Sequence, residues 1–242
     1  MNGQPIIEIR GLRYRYDTGT LALDGVDFQL FPGETVALLG PNGSGKTTFA
    51  LHLNGLLRGE GFLSVCGLAM ENQNLAEIRR KVGLVFQDSD EQLSMPSVLE
   101  DVAFGPLSAG RTAEEAREIA LAALDQAGMR YAADKAPYHL SAGEKKRVAV
   151  AGVLAMNPEV LVLDEPTTFL DPPAQRDLVA LLARLEQSKV LITHDAGLAR
   201  ALASRAVFFE RGKIAADGPV EEVVERFHWD AAPPTVPAAA QT

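Results

Sequence analysis

The stretch of this sequence best equipped for chemistry is Gly40-Pro41-Asn42-Gly43-Ser44-Gly45-Lys46-Thr47, which fits the spacing glycine, four residues, glycine, lysine, serine or threonine in full. Glycines at 40, 43 and 45 let the backbone turn successive N–H groups toward a phosphate chain, and the N-terminus of a following helix adds its positive end. In such a loop Lys46 holds the β and γ phosphates of a nucleotide and the Thr47 hydroxyl ligates Mg²⁺. Pro41, Asn42, Ser44 and Thr48 belong to the same nucleotide-binding stretch.

A second element is the apolar run Val160-Leu161-Val162-Leu163 ending in Asp164-Glu165. A buried strand delivers its last carboxylate to the C-terminal edge of a sheet, where open α/β folds bind ligands. Asp164 is expected to hold Mg²⁺ directly or through water, and Glu165 to orient or deprotonate an attacking water. Gln87 follows Val-Gly-Leu-Val-Phe and His194 follows Lys-Val-Leu-Ile-Thr, so both emerge from strand ends. A glutamine amide oxygen suits Mg²⁺ or its water, and a neutral imidazole suits a γ phosphate or the attacking water.

These residues need a scaffold of alternating strands and helices. Residues 6–16 and 22–30 read as strands, Thr35 to Leu39 as a short apolar strand, and Thr47 to Leu57 as the helix after the glycine-rich loop. Another strand is expected at Lys81 to Phe86. Residues 97–130 read as helical, with a capping box at Thr112–Glu115, a stripe at Ile119, Ala122, Ala123 and Gln126, and a stop at Gly128. Ser141-Ala142-Gly143-Glu144 has the same capping form and opens a helix ending near Asn157-Pro158. Asp171 opens the next helix, Lys189 to Thr193 is a strand, and Asp195 caps a helix through Leu202. The pattern predicts a mostly parallel α/β sheet carrying a helical subdomain. Residues 232–242, rich in Ala and Pro without an apolar period, read as a disordered tail.

Composition narrows the partners. A net charge of -9 opposes binding to nucleic acid or anionic lipid. The single cysteine, Cys66, forms no internal disulfide, and neither a signal peptide nor 18 consecutive apolar residues is found, so the chain reads as cytoplasmic and reaches a membrane only through a partner. The four histidines have no metal-cluster spacing.

Taken with Leu140-Ser141-Ala142-Gly143-Glu144 and Phe169-Leu170-Asp171, the motifs resemble those of the nucleotide-binding subunits of ABC transporters over residues 6–227. The resemblance implies a P-loop core of ABC ATPase type with an N-terminal antiparallel β subdomain, occupying residues 1–230, and a helical subdomain at about 95–157. It implies ATP and Mg²⁺, a head-to-tail homodimer or a heterodimer with a paralogous ATPase subunit, and integral membrane partners. In such a dimer Ser141 and the N–H groups of Gly143 and Glu144 contact the γ phosphate in the partner's site, Asp171 communicates across the interface, and Tyr16 stacks on adenine. The family pattern more usually reads Leu-Ser-Gly-Gly-Gln. The extra methyl of Ala142 and the charge of Glu144 are expected to weaken closure.

Segments 22–28, 52–57, 82–93, 100–106 and 147–167 are similar to the ATPase subunits of energy-coupling factor importers for vitamins or transition metal ions, with cobalt or nickel favoured. That likeness places the membrane subunit's docking near Gln87–Gln92 and the chain on the cytoplasmic face of the cell membrane as a peripheral protein. The competing readings are a soluble ABC-type ATPase in a regulatory or DNA-maintenance role, which lacks its expected heptad insertion in this sequence, and a small-molecule phosphotransferase, which leaves the signature segment and His194 without a role.

Overall fold

The structure is a computed structural model and describes residues 3–230. The expected tail lies outside the described residues.

Two sheets organise the chain. The first is antiparallel, in the order β2 (Leu21–Leu30), β1 (Ile7–Arg15), β4 (Glu60–Val65), β5 (Leu68–Ala69). In β1 the buried side chains are Ile7, Ile9 and Leu12, and the alternation slips where the register against β2 shifts around Gly11, whose N–H donates to Asp27 at 2.7 Å.

The second sheet carries the site. Its order is β10 (Lys213–Pro219), β9 (Arg205–Glu210), β3 (Thr35–Leu39), β8 (Ser188–Ile192), β7 (Val160–Asp164), β6 (Val82–Val85), parallel throughout except for the edge strand β10. Strands β7 and β8 are buried on both faces, which is why β7 reads as an unbroken apolar run up to Asp164 and β8 ends in Val190-Leu191-Ile192. The two-residue period divides their side chains: Val160 and Val162 join the core against the antiparallel sheet, and Leu161 and Leu163 join the core against the helices.

Helix α1 (Lys46–Leu53) lies in the first of these cores, where Phe49 packs edge-on against Phe28. Helix α2 (Leu75–Lys81) leads into β6. The helical part comprises α3 (Val98–Ser108), α4 (Ala113–Gln126) and α5 (Ala142–Leu154), packed with α6 (Pro172–Arg184) over the opposite face of the sheet. Helices α7 (Ala196–Leu202) and α8 (Val220–Arg226) close a third, smaller core on β3 and β9.

Several expectations are corrected. The first helix stops at Leu53 rather than Leu57, because Asn54 caps it and Gly55 follows at φ +70°. Residues 97–130 form two helices, broken at Gly110 (φ +87°), each opened by its own capping box, Ser97 with Glu100 and Thr112 with Glu115. The buried face of α4 is Ala116, Ala120, Ala123 and Leu124, so the expected stripe is rotated: Ile119 is half-buried and Ala122 and Gln126 are exposed. The hairpin β4–β5, helix α2 and the β9–β10–α8 unit had no strong signal in the sequence.

Candidate functional site

The loop between β3 and α1 is shaped by glycines that no other residue could replace without displacement. Gly40 sits at φ +132°, and a Cβ there would lie 2.2 Å from the Phe209 carbonyl oxygen. Gly45, at φ +108°, would bring a Cβ within 2.6 Å of the Ala22 carbonyl oxygen. The loop is thus pressed onto β9 and β2, leaving Ser44 only 3% exposed, its hydroxyl buried with no partner.

Lys46 opens α1 and is 7% exposed. Its ammonium donates to the Gly40 carbonyl at 2.6 Å and the Pro41 carbonyl at 3.0 Å. Burial lowers its pKa, an effect opposed by Glu165 and Asp164. Next to it, the Thr47 hydroxyl donates to Asp164 Oδ2 at 3.0 Å. Burial raises the Asp164 pKa, and the Thr47 hydrogen bond pulls the other way. Desolvated cation and desolvated carboxylate therefore face each other across a polar cleft of about 320 Å³ lined by Asn42, Lys46, Thr47, Gln87, Asp164 and Glu165.

Glu165 occupies a left-handed backbone position (φ +44°), held by its N–H to the Ile192 carbonyl at 3.0 Å. His194 Nδ1 pairs with Glu165 Oε2 at 2.8 Å, while the imidazole remains largely exposed. His194 is absent from the cleft lining and reaches the site through Glu165. Tyr16 lines the same cleft, its ring edge-on to Tyr14 and its hydroxyl 2.9 Å from Thr48 Oγ1.

The hydroxyl of Thr47, the carboxylate of Asp164 and the amide of Gln87 are hard oxygen donors of the kind Mg²⁺ takes. The tight glycine cradle and the ammonium bonded only to backbone carbonyls fit a polyphosphate.

Ser141, Gly143 and Glu144 lie outside this cleft, at the start of α5. Ser141 Oγ accepts from the Glu144 N–H at 3.3 Å, and the Glu144 carboxylate accepts from the Ser141 N–H at 2.7 Å. The Glu144 N–H, expected to be offered to a phosphate, is thus engaged within its own capping box. The Tyr131 hydroxyl, donating to Glu144 Oε1 at 2.5 Å, is the largest cause holding that carboxyl at about 2, so its charge is already hydrogen-bonded by Tyr131 and by the Ser141 N–H. Gly143 is buried against α6, so closely that a Cβ there would lie 2.5 Å from the Ala174 Cβ. Asp171, expected at an interface, caps α6 through the Ala174 N–H at 2.8 Å. Gln92, expected on a docking face, is turned inward: its amide accepts from the Phe86 N–H at 3.3 Å and donates to the Ala149 carbonyl at 3.2 Å. Sequence reasoning missed Lys146, which is 2% exposed and donates to the backbone carbonyls of Phe86 and Gln87; a lysine among Lys145, Lys146 and Arg147 carries no sign of burial in a single sequence.

A strand-loop-helix phosphate cradle opposite a strand-end carboxylate pair defines an α/β P-loop nucleotide-binding protein. The sequence model described as "ABC transporter" matches residues 23–168. The chain is 45% identical over 224 residues to the energy-coupling factor transporter ATP-binding protein EcfA of Methanocaldococcus jannaschii, covering 90% of this chain and 80% of the relative. Among solved structures it is similar to cbiO1 from Clostridium perfringens, described as part of the ABC transporter complex cbiONQ, with a TM-score of 0.84, 34% identity, and coverage of 93% of this chain and 92% of that one. It is also similar to the ATP-binding cassette MJ0796, solved as a dimer in a post-hydrolysis state bound to ADP and Pi, with a TM-score of 0.79, 29% identity, and coverage of 88% and 98%. The chain belongs to the ABC transporter ATP-binding family and is closely related to its EcfA and CbiO members.

Proposed function

We propose that residues 1–230 form one ATP-binding and hydrolysing domain, with residues 95–157 as its helical part, and that it powers uptake through membrane partners. The observation that carries this reading is the buried Lys46 ammonium, bonded only to loop carbonyls beside the Thr47–Asp164 pair. Glu165 and Asp164 act on that cation through space without an ion-pair contact among the described residues, and a triphosphate gives it an anion to bond, with the loop N–H groups sharing the charge.

Thr47, Asp164 and Gln87 are the residues that would hold Mg²⁺, which when bound neutralises phosphate charge. Glu165 accepts the proton of the attacking water. His194 keeps the Glu165 carboxylate in place through Nδ1 and has Nε2 free of it to meet the γ phosphate. Tyr16 offers its ring to adenine.

Two subunits, identical or paralogous, close head to tail over ATP. The Ser141 oxygen accepts from Glu144, so its own hydrogen remains to be donated, along with the Gly143 N–H, to the nucleotide of the partner. The exposed part of residues 87–91 receives a membrane subunit, which makes the chain peripheral on the cytoplasmic face; among the described residues no helix is long and apolar enough to cross a bilayer. The solute is a cobalt or nickel ion, or a vitamin, by the resemblance of the energy-coupling segments.

The test is product analysis followed by reconstitution. Mg-ATP incubated with the full chain and its co-purified membrane partners yields ADP and free phosphate, and proteoliposomes take up cobalt, nickel or biotin only with ATP inside the compartment holding this subunit. Phosphoryl transfer to a second small molecule, or uptake that ignores ATP, would refute it.

A further inference from the structure

Beyond Val85 the chain leaves the central sheet, since β6 is paired with β7 only from Val82 to Val85. Residues 86–92 then carry Gln87 past the phosphate cleft. Among the described residues, apart from the Leu93 N–H donated back to the Ser89 carbonyl, every hydrogen bond this segment makes outside itself runs to α5. Lys146 Nζ donates to the Phe86 carbonyl at 2.9 Å and the Gln87 carbonyl at 2.7 Å. Lys145 Nζ meets Asp90 Oδ1 at 2.6 Å, and Gln92 Nε2 donates to the Ala149 carbonyl at 3.2 Å. The first two of these donors are adjacent lysines on α5, whose N-terminal cap is Ser141.

The bonds differ in what they can transmit. The Lys145–Asp90 pair is exposed on the aspartate side and is easily exchanged for water. Lys146 is 2% exposed, so its ammonium has little water to turn to if the carbonyls leave. Moving Phe86 and Gln87 away from α5 would strand a buried cation, whereas moving the segment together with α5 costs none of these bonds. Among the described residues the segment also has no hydrogen bond of its own to the central sheet that would resist such a movement.

We propose that Lys146 is a positioning residue that fastens the Gln87 segment to α5, so that Gln87 and the Ser141 end of α5 approach or leave nucleotide sites as one rigid piece. This rests on the assignment of Gln87 to the Mg-ATP site made above. A displacement of α5 is then read out in the cleft through Gln87 without any contact between Lys146 and nucleotide, and a displacement of residues 86–92 by a docked partner is read out at Ser141.

Two measurements on the full chain test it. In Lys146→Met, which keeps length and removes the donors, hydrogen exchange of the hydrogen-bonded amides of Phe86, Asp90, Gln92 and Leu93 should accelerate about tenfold or more while those of 148–154 exchange as in the wild type. Equal protection of these four amides in both proteins would overturn the clamp, and acceleration throughout α5 would reduce it to a packing defect. In steady-state ATPase assays Lys146→Met should lower kcat by about tenfold with ATP affinity within about twofold, and Lys146→Arg should recover most of the loss. The effect should vanish in a Gln87→Ala background; additive losses would overturn action through Gln87. Gln87→Ala with unchanged kcat, alongside a loosened segment in Lys146→Met, would strike the assignment of Gln87 and with it the positioning role, while leaving the exchange result to stand as a mechanical fact.

Discussion

The phosphate cleft and the start of α5 are both built from polar residues at a helix N-terminus, yet their hydrogen bonds are spent differently. In the cleft, partners come from distant parts of the chain: Thr47 bonds to Asp164 across 117 positions and Glu165 to His194 across 29. At α5, Ser141 and Glu144 satisfy each other within three positions. The cleft also retains groups poorly served among the described residues, namely a buried ammonium bonded only to carbonyls and a Ser44 hydroxyl without a partner. A helix end that caps itself is a stable surface; one held open by glycines and supplied with a desolvated cation is a receptor. The difference teaches that the two ends are not interchangeable phosphate sites. In the function proposed above, the first binds nucleotide within one chain and the second contributes only when another subunit brings a nucleotide to it.

The largest expected effect is in the cleft. Glu165→Gln should retain Mg-ATP affinity within a few fold while phosphate release falls by about 10²–10⁴-fold, checked by single-turnover kinetics, because a positioned general base contributes about that much. Unchanged turnover would remove Glu165 from the chemistry and erase the contrast with α5.

At α5 the expected effect is one of stability. Ser141→Ala should cost about 1 kcal/mol in denaturant unfolding, as lost N-caps do, and leave ATP affinity of the isolated chain unaltered. A large loss of affinity in the isolated chain would mean that this helix end already serves the chain's own cleft.

The smallest effect is a pH dependence. The folded Glu144 carboxyl is held at about 2 against an ordinary 4.5, first by Tyr131 and then by Ser141. A depressed carboxylate stabilises the fold fully above the unfolded value and loses that contribution as pH falls toward the folded one. Wild type should therefore be more stable than Glu144→Gln at pH 7, with the margin shrinking below pH ~5 as the unfolded carboxyl takes up its proton. A margin that widens on acidification would contradict the capping role.

The legible part of the sequence was the part whose physics is local or periodic. The glycine spacing at 40–45 marked the phosphate loop, the unbroken apolar run at 160–163 marked a parallel strand, and Thr112 and Ser141 with glutamates three residues on marked helix starts. What could not be read depends on tertiary partners. Nothing adjacent to Lys146 distinguishes it from exposed Lys213, because its burial is produced by packing of α5 against residues 86–92. Gln92 sits in an acidic, polar stretch that reads as surface, and the Phe86 N–H and the Ala149 carbonyl turn it inward. The α4 stripe was misplaced by one turn position because alanines serve either face, leaving Leu124 to decide the burial. The β9–β10 hairpin lacks a strong alternating pattern, since β9 is buried at four consecutive positions.

The central claim is that Lys46 makes the β3–α1 loop a receptor for a magnesium-bound triphosphate. Equilibrium titration of the full chain with a fluorescent ATP analogue and Mg²⁺ tests it most directly. Saturable one-site binding is predicted, weakened by about 100-fold or more in Lys46→Ala while the variant keeps its fold by circular dichroism. Binding of equal strength in the two proteins, or none in the wild type even with its membrane partners assembled, would contradict the account.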